Sequence, residues 1–126
     1  MLAHDIRTRP ADGSADDALA RRVAETMTRE LEPHFAVEEQ VLLPAVRSLG
    51  EHGLAEEILD DHDFLRSQAA AAASGHTAGL DTFAERLAAH VRLEENELFP
   101  LCEQRLPSLT LDKVAQRRPK PRPGTA

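Results

Sequence analysis

The feature that most restricts this chain is a repeat. His34-Phe35-Ala36-Val37-Glu38-Glu39-Gln40-Val41-Leu42-Leu43-Pro44 returns 56 residues later as His90-Val91-Arg92-Leu93-Glu94-Glu95-Asn96-Glu97-Leu98-Phe99-Pro100, with identity at five of eleven positions. In both copies a His precedes a Glu by four residues, which on a helix places imidazole and carboxylate side by side, one turn apart. The surrounding apolar residues recur at spacings of three and four, the helical period. Val23, Met27, Leu31, His34, Glu38 and Leu42 form one row; Leu80, Phe83, Leu87, His90, Glu94 and Leu98 form a second. Both His–Glu pairs therefore fall within apolar rows and are expected to point inward. A third row, Leu54, Ile58, His62, Leu65 and Ala69, brings in one more imidazole.

Breakers at Pro10–Ser14, Leu49–Gly53 and Ser74–Gly79 separate these rows. Helices are predicted to begin near Asp16, Gly53 and Leu80, and no stretch alternates with the period of a strand. With 126 residues the chain fits one domain. The expected class is all-α, an antiparallel helical bundle with short loops. Residues 1–15 read as a short N-terminal stub and loop, 16–112 as the bundle, and 113–126 as a basic, proline-rich flexible tail. The net charge of −7 splits unevenly: the tail carries five basic residues and no acid, leaving the body at −12.

An acidic chain with 3% aromatic residues is a poor nucleic-acid partner, having neither the field nor the stacking platform. A single cysteine, Cys102, excludes a disulfide framework and a thiolate metal site, and it reads as a packed thiol. No apolar run approaches a membrane span, and the first residues resemble no signal peptide, so a cytoplasmic protein is expected. No Gly-rich phosphate loop or nucleophile motif is present, which leaves phosphoryl and acyl transfer unsupported.

Buried carboxylates cost several kcal/mol unless compensated, and these rows carry no Lys or Arg. Metal cations supply the compensation. Three imidazoles and two carboxylates, His34, Glu38, His62, His90 and Glu94, suit iron, manganese or zinc, and two carboxylates able to bridge favour a pair of ions. Ferritin-like bundles use Glu followed by His at i+3; here the order and spacing differ. Glu39 and Glu95 rotate about 100° from their neighbours and are expected to support the site or meet solvent. His52 and His76 lie in the breaks and are assigned to the surface. Arg66 and Gln68 lie where they would face a pocket, with nothing to single them out. Pro33 removes a helix hydrogen bond beside His34, and a kink is expected there.

The segments His34-x3-Glu38-Glu39 with Leu42-Leu43-Pro44, Asp61-His62, and His90-x3-Glu94-Glu95 with Leu98-Phe99-Pro100 resemble the hemerythrin-like (HHE cation-binding) domain over roughly 17–106. The resemblance implies a four-helix bundle around a non-haem di-iron centre. His34, His62 and His90 would be ligands and Glu38 and Glu94 bridging ligands, and the small ligand would be dioxygen, nitric oxide or a peroxide. It also implies a histidine from a first helix. His4 has the right sequence spacing but lies only six residues before Pro10, too near the bundle end. A suitable residue would have to precede Met1. The first helix is thus expected to be truncated, and a homo-oligomer covering the bare groove is expected. The reading is a metal- or gas-binding or sensing protein rather than an enzyme, with two alternatives. One is a metal-free bundle acting by self-association or partner binding. The other is a redox enzyme acting on peroxide.

Overall fold

The computed structural model describes residues 2–106; the tail expected over 113–126 lies outside them. Four helical stretches are present among the described residues: α1 (Leu2–Arg7), α2 (16–48), α3 (His52–Ala73) and α4 (80–105). The long helices start at Asp16, His52 and Leu80, within a residue of the positions that the apolar rows predict. No strand occurs among the described residues, and none of their helices is long and apolar enough to cross a membrane.

Two of the breaks end in the same way. Gly50 and Gly75 take φ of 87° and 88°, the left-handed conformation that glycine adopts without a Cβ penalty. At the first, Glu51 N–H donates to Val46 O and Gly50 N–H to Arg47 O; at the second, His76 N–H donates to Ala71 O and Gly75 N–H to Ala72 O. These paired bonds satisfy the last carbonyls of each helix and reverse the chain, so α2, α3 and α4 form a bundle.

α2 and α4 are not uniform. Each contains π-helical turns: Met27–Leu31 and Glu38–Leu42 in α2, Glu94–Leu98 in α4. Each turn ends two residues before a proline: Pro33, Pro44 and Pro100. Proline has no N–H to give the carbonyl four residues back, and its ring crowds that carbonyl. The helix adapts by widening one turn earlier. The residue preceding each proline donates five residues back instead: Glu32 to Met27 O, Leu43 to Glu38 O and Phe99 to Glu94 O. The break expected at Pro33 thus takes the form of a π-turn, and the repeat carries one in each copy.

The core divides into two apolar clusters. The first joins Leu2, Ala3 and Ile6 of α1 to Leu19, Val23, Phe35, Leu65, Phe83 and Leu87 among others. The second joins Val37, Leu42, Leu43, Val46, Ala55, Ile58, Leu98 and Cys102. α1 is held in place by Arg9. Its guanidinium donates to Asp16 (2.8 Å), to Asp81 (2.6 Å) and to Ile6 O (2.7 Å), fastening the first loop to the start of α4. Cys102 is buried, and burial pushes its thiol up to about 11, so it is a packing residue without nucleophilic character.

Candidate metal centre

Between the two apolar clusters lies a polar layer. Glu38 from α2, His62 from α3, and His90 and Glu94 from α4 are all buried, and one ligand atom from each lies within 4.8 Å of the others. Ile58 and Leu65 flank His62 on α3, and Leu87 and Leu98 flank the α4 pair, so the layer is sealed above and below by hydrocarbon. This placement is a consequence of the helical rows: a polar residue on an apolar stripe is carried inward with it.

The ring orientations are set from behind. His62 Nδ1–H donates to Glu39 Oε2 at 2.6 Å, and His90 Nδ1–H donates to Asp61 Oδ2 at 2.9 Å. Ionised carboxylates only accept, so both rings carry the proton on Nδ1 and turn the Nε2 lone pair toward the layer. Each carboxylate is held in turn by an arginine. Arg66 Nη1 lies 2.9 Å from Glu39 Oε2 while the same guanidinium donates to Glu32 through Nε and Nη2. Arg86 Nε donates to Asp61 Oδ1 at 2.5 Å. Phe35 stacks on His62, with centroids 3.8 Å apart and planes 11° apart, and meets His90 edge-on. Arg66 lies over the face of Phe35 and Arg86 over Phe64, so each guanidinium is also fixed by a ring.

The result is a pair of three-part supports, Arg66–Glu39–His62 and Arg86–Asp61–His90. Each aims one imidazole at the two glutamates. Burial pushes the His62 imidazole down to about 4, against the opposing pull of Glu39. Burial likewise lowers His90, against the pull of Asp61. Both rings are therefore neutral at pH 7, the form in which imidazole is a ligand. Hydrogen bonding to Glu32, the largest contributor, and to Glu39 raises the Arg66 guanidinium above its ordinary value.

Both carboxylate oxygens of Glu38 and the Nε2 atoms of His62 and His90 are buried with no hydrogen-bond partner. Orphaned groups of this kind cost several kcal/mol unless a ligand satisfies them, and native interiors rarely tolerate them. Glu38 Oε1 lies 3.7 Å from His62 Nε2, and Glu94 Oε1 lies 3.4 Å from His90 Nε2. Converging lone pairs with no donor among them are what a cation requires, and the residues present fit one.

The hemerythrin HHE cation-binding domain model matches residues 2–102. The chain belongs to this family. Neither the curated proteins nor the solved structures compared gave a significant match. Membership in the HHE family accounts for the buried His/Glu layer as a cation site.

Of the five candidate ligands, the structure brings Glu38, His62, His90 and Glu94 into one compact set. His34 stands beside it: its Nε2 is 3.3 Å from Glu38 Oε1, but its side chain is 27% exposed, against 0% for His62 and 2% for His90. His4, His52 and His76 are exposed. Glu95 is exposed as well, whereas Glu39 supports His62, so the two acids adjacent to the repeat glutamates differ in role. Nothing in the helical pattern marks Asp61 or Arg86 as a support, and nothing in it separates Arg66 from Gln68. The available signal was the adjacency of Asp61 to His62, but Asp61 serves the imidazole of the neighbouring helix.

Proposed function

We propose that this HHE protein is a non-haem metal protein that binds or senses dioxygen, nitric oxide or a peroxide. Iron is the metal, and two ions are the full complement. The observation that carries the reading is the set of orphaned lone pairs on Glu38, His62 and His90, backed by two Arg-held carboxylates. A metal-ligating imidazole normally donates its second N–H to such a carboxylate, which fixes the tautomer and raises the basicity of the ligating nitrogen. Bound there, a first-row metal supplies a Lewis-acid position for a small ligand. The chain's own contribution is to hold two neutral imidazoles and two carboxylates in a layer walled off by hydrocarbon. The N–H groups of His62 and His90 face away from that layer. This favours binding or sensing over turnover of a peroxide, which needs a proton delivered to the ligand.

The test is metal content. Protein expressed in iron-supplemented medium is expected to carry iron, and the iron-loaded, oxygen-free protein is expected to change its visible absorption when nitric oxide is added. Protein that is purified without metal and unaltered by ferrous iron under anaerobic conditions would defeat this reading.

A specific observation also favours self-association. Ala15 and Leu31 are the partly buried apolar residues against the first cluster, which α1 covers. Against the second stand Val41, Leu54, Leu59, Leu93, Phe99, Leu101 and Leu106. A second copy of the chain is the occupant proposed for the face that these half-buried residues border. A monodisperse monomer in light scattering at micromolar concentration would remove this part of the proposal.

A further inference from the structure

We infer that the two metal positions of this chain are unequal. Glu38, His62, His90 and Glu94 hold one ion tightly, whereas a second ion, placed on the His34 side of Glu38, is held weakly and exchanges with solvent. The inference rests on the metal-binding reading above and adds occupancy and order of loading to it.

The four buried groups suit a single ion. Ligand atoms bound at about 2.0–2.2 Å lie about 3–4 Å from one another around one ion, and these four already converge to within 4.8 Å without it. Both imidazoles of the set have their Nδ1–H fixed by an Arg-held carboxylate, so their Nε2 atoms need little reordering on binding. His34 differs in two respects. It lies outside the compact set, and its side chain is 27% exposed, so water competes for any ion it holds. It is also the single nitrogen donor that the described residues place on its side: His62 and His90 belong to the four-residue set, and the other described imidazoles are exposed and elsewhere. A second ion therefore has one nitrogen of its own and a share of Glu38, whose Oε1 lies 3.3 Å from His34 and 3.7 Å from His62.

The test is an anaerobic titration of the full-length, metal-free protein with Co(II), followed by visible absorption and by metal analysis after desalting, and repeated with Fe(II). One equivalent is expected to survive desalting. A second is expected only with excess metal, at an affinity lower by about 100-fold or more, since loss of even an outer support costs about 10–100-fold. His34→Ala should keep the first equivalent and lose the second; His34→Gln should do the same, and thermal melts should show both variants folded. His62→Gln should lose the retained equivalent. Two equivalents retained alike, or a retained equivalent lost in both His34 variants, would overturn the inference while leaving the metal-binding reading intact. No binding of either metal would overturn that reading itself, and the inference with it.

Discussion

The two copies of the repeat share their His, both Glu, a Leu and the Pro, yet the fold treats them differently. His90 is buried and is aimed by Asp61 of the adjacent helix, while His34, with the same Glu four residues on, is 27% exposed at the rim. The difference comes from what packs alongside. α4 has α3 on one flank and α1 on the other, and α1 reaches the core through Leu2, Ala3 and Ile6. The histidine of α1, His4, is exposed and lies outside the compact set. The same His-x3-Glu-Glu motif thus gives one buried donor and one partly exposed donor, and neighbouring elements decide which.

The largest effect should come from breaking the fixed copy. His90→Gln is expected to lower metal affinity by about 100-fold or more, beyond the range for outer supports, measured by competition with a chromophoric chelator. Equal losses for His90→Gln and His34→Gln would show the two copies to be equivalent after all. Next comes a change of opposite sign in the metal-free protein. Glu38 is 1% exposed with both oxygens orphaned, so Glu38→Gln should stabilise the metal-free fold by about 1–3 kcal/mol while weakening metal binding. Wild type, in contrast, should gain thermal stability on adding metal, because a ligand that binds only the folded state stabilises it. A metal-free Glu38→Gln variant that melts below wild type would contradict the orphaned-carboxylate account.

The bundle and the four buried groups of its polar layer were legible because helical spacing marks them: a His or Glu on an apolar row must turn inward with the row. The supports were not. Arg86 and Asp61 are 25 residues apart, and Asp61 and His90 are 29 apart. Each looks from its own helix like an ordinary charge on a solvated flank, and only inter-helix packing pairs them. The apolar rows themselves carry no cation; the two arginines approach from the flanks and hold Glu39 and Asp61 rather than Glu38 and Glu94. Of the three π-turns, a kink is expected from the sequence at Pro33 alone, although Pro44 and Pro100 also sit inside helical rows where an uninterrupted α-helix cannot accept them.

The supports offer a finer comparison. Asp61 is 7% exposed and Glu39 is partly exposed, so replacing the first leaves the more deeply buried imbalance. Asp61→Asn is expected to reduce metal affinity about 10–100-fold and Glu39→Gln toward the lower end of that range. Equal effects would mean that burial of the support is irrelevant. The metal-free protein should also lose stability on acidification. Burial holds His62 at about 4 in the folded state, below its ordinary 6.5, so the unfolded chain takes up its proton first. This contribution is fully present above about pH 6.5 and is lost progressively down to about pH 4, and His90 acts in the same direction. Urea melts of metal-free protein at pH 7 and pH 5 should show a larger fall in midpoint for wild type than for His62→Gln. Equal falls in the two proteins would place the His62 imidazole in contact with water.

The smallest effect separates the π-turns that carry a candidate ligand from the one that does not. Glu38 and Glu94 each open a π-turn, and their backbone carbonyls are held by the residue before Pro44 and Pro100. The turn Met27–Leu31, before Pro33, opens on a packing methionine. Alanine at any of the three prolines restores an N–H and removes the ring that forces the wider turn, so stability should change by less than about 1 kcal/mol. A return to α geometry would rotate the helix on one side of the turn against the helix on the other. For Pro44→Ala and Pro100→Ala that rotation is applied at a glutamate of the compact set, and metal affinity should fall by several-fold, less than for any support variant. Pro33→Ala places the same rotation a full turn or more before Glu38, and the affinity should fall less than for Pro44→Ala. If Pro33→Ala weakened binding as much as Pro44→Ala, the prolines would act on the bundle as a whole, and the link between π-turn and glutamate would fail.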